Sequence, residues 1–155
     1  MIDLTTPIIP YKGTGIFNLN STYYTVKNLL NEYKIKHREK ILNENLEEPA
    51  WKIIDIYKSG CQYEVLQLFF VKDILFKICV WENFEGKLPN GIHTGMNLLE
   101  AKKIDPQLKR DDEIDEIFLS PEGYWIEYSN GTLNIISISI FIREFESEEF
   151  FDVNT

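Results

Sequence analysis

Two histidines, two cysteines and a Gly-Thr-Gly triplet are the residues whose types first invite a chemical reading. His37 sits among Lys36, Arg38, Glu39 and Lys40, the composition of a solvated helix end, and His93 falls in a turn. Neither stands at metal-ligand spacing from Cys61 or Cys79, so no metal site is expected. Gly13-Thr14-Gly15 lacks the third glycine and the strand-to-helix setting of a dinucleotide loop, and no phosphate-binding loop ends in Lys-Ser or Lys-Thr. The acids Asp111, Asp112, Glu113, Asp115 and Glu116 form a block that reads as a solvated loop and strand start. They do not have the look of a carboxylate pair set for hydrolysis. The residues therefore predict no catalytic group, no metal and no cofactor. The expectation is a binding protein, not an enzyme; a small enzyme with an unfamiliar site is the minor alternative.

Charge narrows the partner. There are 25 Asp and Glu against 16 Lys and Arg, a formal net charge of −9. That field repels nucleic acid and anionic membranes, both of which need cations on the protein. It favours a basic partner, or serves solubility alone. Glu144, Glu146, Glu148, Glu149 and Asp152 form a second acidic block near the end, and the chain closes on a short acidic tail over 146–155. With 155 residues, 44% hydrophobic and 14% aromatic, the chain can build one compact domain with a real core. No apolar run reaches the roughly 18 residues of a spanning helix. Met1 to Pro10 has no basic and apolar leader pattern, so a cytoplasmic protein is expected. Cys61 and Cys79 flank a hairpin at Lys72-Asp73 whose register places Cys79 opposite Leu66. Cys61 then lies too far along the other strand for a disulfide, and both are expected as thiols.

The elements that must position any binding surface follow from periodicity. A glycine turn leads to a helix capped by Ser21 and running to about Lys36, with Val26, Leu29, Leu30 and Tyr33 as its apolar stripe. The stretch from His37 to Pro49 is polar, with weak helical signals at Ile41, Leu42 and Leu46. The period then becomes 2: strands are predicted at 51–57, 62–71 and 74–81. The pattern restarts after the break at Gly86 to Pro89, where Gly91-Ile92 echoes Gly15-Ile16. Asn97 caps a short helix from Leu98 to about Ile104, ended by Asp105-Pro106. Strands follow at 114–119, 124–129 and 132–143, and Asn130-Gly131 is the strongest hairpin signal. The predicted fold is α+β: two tandem helix-then-antiparallel-meander units, at about 8–86 and 87–145, forming a sheet with helices packed on one face.

Alternation assigns the faces. Leu66, Leu68 and Phe70 with Ile74, Phe76, Ile78 and Val80 make the core side; Ile136, Ile138, Ile140 and Ile142 do so in the last strand. The other side carries Phe69, Trp81, Trp125 and Phe141, interleaved with Gln67, Lys77, Glu127, Ser137 and Ser139. Large aromatics among polar groups are how interfaces obtain anchors. The candidate partner-binding residues are Phe69, Trp81, Trp125, Glu127 and Phe141 on that face, with Asp111, Asp112 and Glu116 steering encounter. Packing of these aromatics beneath a loop, or in the seam between halves, is the competing reading.

The opening Ile9-Pro10 … Gly13-Thr14-Gly15-Ile16-Phe17-Asn18-Leu19, followed by a Ser-led helix, resembles the glycine turn and helix of β-lactamase-inhibitor-like and outer-membrane-lipoprotein-like domains. Gly91-Ile92-His93-Thr94-Gly95-Met96 is closer to that pattern. In that group, tandem helix-plus-sheet units present a concave sheet to a protein partner. With its acidity, the chain also resembles the immunity proteins of contact-dependent and polymorphic bacterial toxin systems. The chain departs from the inhibitor and lipoprotein branches, lacking a secretion signal and a lipid-attachment cysteine. The resemblance implies a protein that neutralises a cognate toxin C-terminal domain, a basic nuclease, by occluding its active site or substrate surface. It carries over no catalytic residue. The alternative is a non-catalytic binding or assembly module unrelated to toxins.

Overall fold

The computed structural model describes residues 2–42 and 51–146, without the side chains of Leu42 and Glu146. Leu46, Pro49 and most of the acidic tail, including Glu148, Glu149 and Asp152, lie outside the described residues. The fold is α+β. Three two-residue strands, β1 (Ile8–Ile9), β2 (Gly13–Thr14) and β3 (Phe17–Asn18), form a small sheet before helix α1 (Tyr23–Glu32). Strands β4 (His37–Leu42), β5 (Trp51–Tyr57), β6 (Glu64–Val71) and β7 (Ile74–Trp81) follow. Helix α2 (Leu98–Ile104) precedes β8 (Lys109–Arg110), β9 (Ile117–Ser120), β10 (Tyr124–Tyr128) and β11 (Ile135–Phe141), and a 3-10 turn spans Arg143–Glu146. The large sheet is antiparallel, in the order β4-β5-β6-β7-β11-β10-β9-β8. The last strand of each run thus meets its counterpart at the centre.

Helix α1 starts one residue after the expected cap: Thr22, not Ser21, accepts from the Thr25 amide at 3.2 Å. It also stops at Glu32, short of Lys36. Lys34 adopts φ +51°, and the Ile35 amide returns to the Leu30 carbonyl at 2.9 Å, closing the helix without a glycine. The polar stretch after it begins as strand β4, not as weak helix. Arg38, Glu39 and Lys40 suit a sheet edge, where charge deters pairing with another chain, and that charge hid the strand in the sequence. Helix α2 has the expected Asn97 cap and the expected bounds.

Turns fix the register. Lys72 and Asp73 take φ +51° and +61°, the left-handed pair of a tight two-residue hairpin. At Asn130-Gly131 the expected turn is absent: neither residue has positive φ, and Leu133 at φ +62° makes the reversal, with Ser129 and Asn134 closing it at 2.9 Å. Strand β11 consequently starts at Ile135, three residues late.

The sheet has three register shifts: one between β5 and β6 leaves Val65 as an extra residue, and the other two move side chains away from the faces assigned above. Phe69 pairs with Lys77 but Phe70 with Leu75, leaving Phe76 as the extra residue of a β-bulge. Leu75 takes the helix-facing position, and Phe76 turns to the other side, still fully buried, 5.2 Å from the Trp51 ring and 6.4 Å from that of Phe69. The same shift places Cys79 opposite Gln67, not Leu66. Between β10 and β11, Glu127 pairs with Ser137 but Tyr128 with Ile135, so Ile136 is extra and Ile135 takes the core position. Both bulges correct the assignment of Phe76 and Ile136 to the core side.

The core lies between the helices and one side of the sheet. Ile54, Ile56, Leu66, Leu68, Ile78, Val80, Ile126, Ile138 and Ile140 are fully buried with Val26 and Leu30 of α1 and Ala101 of α2. Each aliphatic side chain removed from water contributes about 1.5–3 kcal/mol. Tyr23 of α1 meets Phe70 edge-on at 5.5 Å, and Lys102 of α2 lies over the Phe118 ring at 4.5 Å, both from this side. Gly86 holds the connection between the two runs against the N-terminal segment, because a Cβ there would overlap the Thr6 carbonyl oxygen.

Each helix start is stitched to the head of a central strand in the same way. Asn20 donates to the Leu75 carbonyl and Leu75 to Ser21, both at 2.9 Å, while Tyr23 donates to Asp73 at 2.8 Å. Gly95 donates to Ile135 at 2.7 Å, Ile135 to Met96 at 2.8 Å, and Leu98 to Leu133 at 2.8 Å.

Candidate protein-binding face

The side of the sheet away from the helices carries the candidate aromatics. Cross-strand pairing sets them in rows. One row reads Ile53, Phe69, Lys77, Phe141; the next reads Asp55, Gln67, Cys79, Ser139, Trp125, Leu119. The third holds Trp81, Ser137, Glu127 and Ile117. Phe69, Trp81, Trp125, Glu127 and Phe141 therefore share one surface, as alternation predicts.

They do not share one degree of access. Phe141 is only 5% exposed, under the edge of Tyr11 at 6.2 Å and against Phe145 at 5.2 Å. It supports the surface from below, which is the packing that the competing reading expects. Phe69, Trp81, Trp125 and Glu127 are half-buried. Ser139 faces the right way but is 2% exposed, shaded by its larger neighbours, and so is not an open position.

A polar chain crosses four strands of this face. Lys40 pairs with the Asp55 carboxylate at 2.8 Å; Gln67 donates to the other Asp55 oxygen at 2.9 Å; the Trp81 indole N–H donates to the Gln67 oxygen at 2.8 Å. Asp55 is fully buried, and these two donors stand where water would otherwise solvate its carboxylate. In return Asp55 holds the Lys40 ammonium above its ordinary pKa, by hydrogen bonding and charge. The chain ends by fixing the ring of Trp81, the largest side chain at that end of the face.

Two electrostatic zones result. Around Trp81, a depression of ≈ 320 Å³ is lined by Tyr63, Glu64, Glu82 and Ile136. Tyr63 is 79% exposed, and Glu127, whose carboxylate accepts from Ser137 at 3.2 Å, lies in the Trp81 row. This zone is aromatic and acidic. Four residues along β7, Lys77 sits with its ammonium 4.0 Å from the Phe69 ring centre and 5.1 Å from that of Trp125. Burial pulls the Lys77 pKa below its ordinary value. Between the zones Cys79 is buried, and burial pushes its thiol up to about 11.

The acidic candidates lie elsewhere. Asp111, Asp112 and Glu116 belong to the β8–β9 loop at the far edge of the sheet. Asp111 spends its side chain on the amides of Glu113 and Ile114, at 2.8 and 2.9 Å, and Glu116 accepts from Asn130 at 3.1 Å. Asp112 is exposed. They form a rim, separate from the aromatic zone. Asp55, Tyr63, Glu64, Lys77 and Glu82 complete the face. Period-2 alternation puts Lys77 there, whereas Glu64 reaches the face through the extra residue Val65 and Tyr63 lies just before β6; charge pairing and bulges have no sequence signal.

Among the described residues, no group of three or more His, Cys, Asp and Glu side chains could hold a metal ion, and no helix is long and apolar enough to cross a membrane. Both cysteines are free thiols. Searches for similar proteins among family models, curated proteins and solved structures found no match.

Proposed function

We propose that this chain is a protein-binding inhibitor that seats a basic partner domain on the second face of its sheet. In its specific form it is an immunity protein that neutralises a cognate toxin C-terminal domain, a basic nuclease, by covering its active site or substrate surface. The observation that carries the reading is the Trp81 zone: a pre-set indole beside exposed Tyr63 and three carboxylates, Glu64, Glu82 and Glu127. A rigid aromatic flanked by acids is the kind of pocket that receives a Lys or Arg stem. The net charge of −9 adds long-range attraction for a cationic domain, and Asp112 on the rim extends it. The toxin assignment rests on the resemblance and on that charge. Action in the cytoplasm belongs to the same proposal.

The build proposed with it is a duplication, two helix-then-meander units within one compact domain. Its support is the matched stitching of Asn20, Ser21 and Tyr23 to β7, and of Gly95, Met96 and Leu98 to β11. The helix starts are offset by about 75 residues and the strands by about 60, with a bulge residue at Phe76 and at Ile136. Such a unit places two strand ends at the centre of one face and so makes a continuous platform.

The test is co-expression with the C-terminal domain of the polypeptide encoded immediately upstream. Rescue of growth by the wild-type chain, and loss of rescue with Trp81→Ala, is the expected result. A chain that co-purifies with no basic domain, and rescues nothing, would support the unrelated binding or assembly module.

A further inference from the structure

Lys77 is an unusual group for the middle of a contact surface. It lies in the Phe69–Phe141 row, near the centre of the eight strands, and its ammonium touches aromatic rings. The salt bridges among the described residues join Lys27 to Glu39, Lys40 to Asp55 and Lys52 to Asp73; none uses Lys77. Glu127 acts on Lys77 only through its charge, without a salt bridge, and its carboxylate accepts from Ser137. A basic domain settling on this face would cover Lys77 and strip its remaining water. An ammonium buried without an ion-pair partner costs far more than a cation–π contact returns. The surface therefore demands a negative group from whatever covers it.

We propose that Lys77, framed by Phe69 and Trp125, is the receptor for a carboxylate that the partner presents at the centre of the contact. The inference rests on the second face being the contact surface, and it defines the partner's chemistry further. Its contact surface is basic where it meets the Trp81 zone and carries one acidic side chain roughly 13 Å away, the length of four residues of strand. A uniformly basic surface does not fit. The arrangement also sets orientation: turning the partner end for end along β7 places its cations on Lys77 and its carboxylate against Glu64 and Glu82, and both contacts repel.

Two measurements test this. In the first, phenylacetate and phenylacetamide are titrated into the full chain while the Trp125 indole resonance and the Lys77 side-chain signals are followed by NMR. Phenylacetate should shift both signals saturably in the millimolar range, and the amide should bind at least roughly tenfold more weakly. Lys77→Met should abolish the carboxylate response and Lys77→Arg should retain it. Equal binding of acid and amide, no saturable shift with the acid, or an unchanged response in Lys77→Met overturns the proposal.

The second measurement uses the domain encoded upstream. Lys77→Met should weaken its binding roughly tenfold or more, with Lys77→Arg closer to wild type. A domain that binds wild type and Lys77→Met equally overturns this proposal and leaves the function standing. A domain that does not bind at all removes the proposed function, while the phenylacetate titration still decides the role of Lys77.

Discussion

The indole N–H of Trp81 donates to the side-chain oxygen of Gln67 at 2.8 Å, and through Gln67 the ring is tied to a buried aspartate one strand further on. An aromatic held this way loses little freedom on binding, which is what makes a rigid side chain an efficient anchor.

Removing the aspartate should release the ring. Asp55→Ala leaves the Gln67 amide without its buried acceptor and Lys40 without its anion. We expect a loss of about 3 kcal/mol in urea unfolding. A weakened near-UV signal from Trp81 should accompany it under native conditions. Retention of both stability and signal would mean that the chain of contacts does not order the ring.

Lys77 should cost stability where Asp55 supplies it. Its ammonium is partly desolvated and forms no salt bridge among the described residues, so Lys77→Met, which keeps volume and removes charge, should unfold at the same or a higher temperature than wild type. The pH dependence has a definite sign. A lysine whose folded pKa is lowered binds its proton more weakly in the native state, so the penalty is full below the folded pKa. It fades as pH rises from there towards the ordinary 10.5 of the unfolded chain. The advantage of Lys77→Met should accordingly shrink on approaching that pH. An advantage that grows with pH contradicts the assignment.

The thiols should separate cleanly. Cys61 is partly exposed, whereas Cys79 is buried with its pKa at about 11, so at pH 7 it holds almost no thiolate. A thiol reagent should titrate one cysteine in the native protein and two after unfolding, with no reductant added. Two fast thiols in the native state would contradict the packing of β7 against its neighbours. No thiols after unfolding would show a disulfide.

Strand β11 should show its two sides. Ile138 is fully buried in the core and Ser139 is 2% exposed on the other face. Ile138→Asp should prevent folding. Ser139→Asp should also destabilise the chain, by several kcal/mol, because it buries a charge near Cys79 and Trp125. Ser139→Ala should be nearly neutral. Melting temperatures of the three variants check this, and a neutral Ser139→Asp would mean that the face is more open than described.

Much of this was legible in the residues. Period-2 alternation places Phe69, Trp81, Trp125 and Phe141 on one face, and the Asn97 cap and Lys72-Asp73 turn are where local chemistry puts them. What escaped depends on long-range pairing. Phe76 and Ile136 change sides because one residue too many meets its partner strand, and nothing near either residue marks it. Strand β4 is hidden because an edge strand is written in charges. Asn130-Gly131 misleads because the pairing of Asn97 with Asn134 and the bond from Leu98 to Leu133 move the reversal two residues on. The candidate site was half readable for the same reason: alternation places Lys77 on the face, but that it forms no salt bridge among the described residues appears only in three dimensions.

The most direct test of the central claim is the dissociation rate of the complex with the upstream-encoded domain, measured by stopped flow at several ionic strengths. Trp81→Ala and Trp125→Ala should each raise the off-rate by roughly tenfold or more and leave the on-rate nearly unchanged. Neutralising Asp111, Asp112 and Glu116 should lower the on-rate and flatten its salt dependence, with little change in the off-rate. Off-rates that ignore both tryptophans, in a complex that still forms, would place the contact elsewhere on the molecule and contradict the assignment of this face.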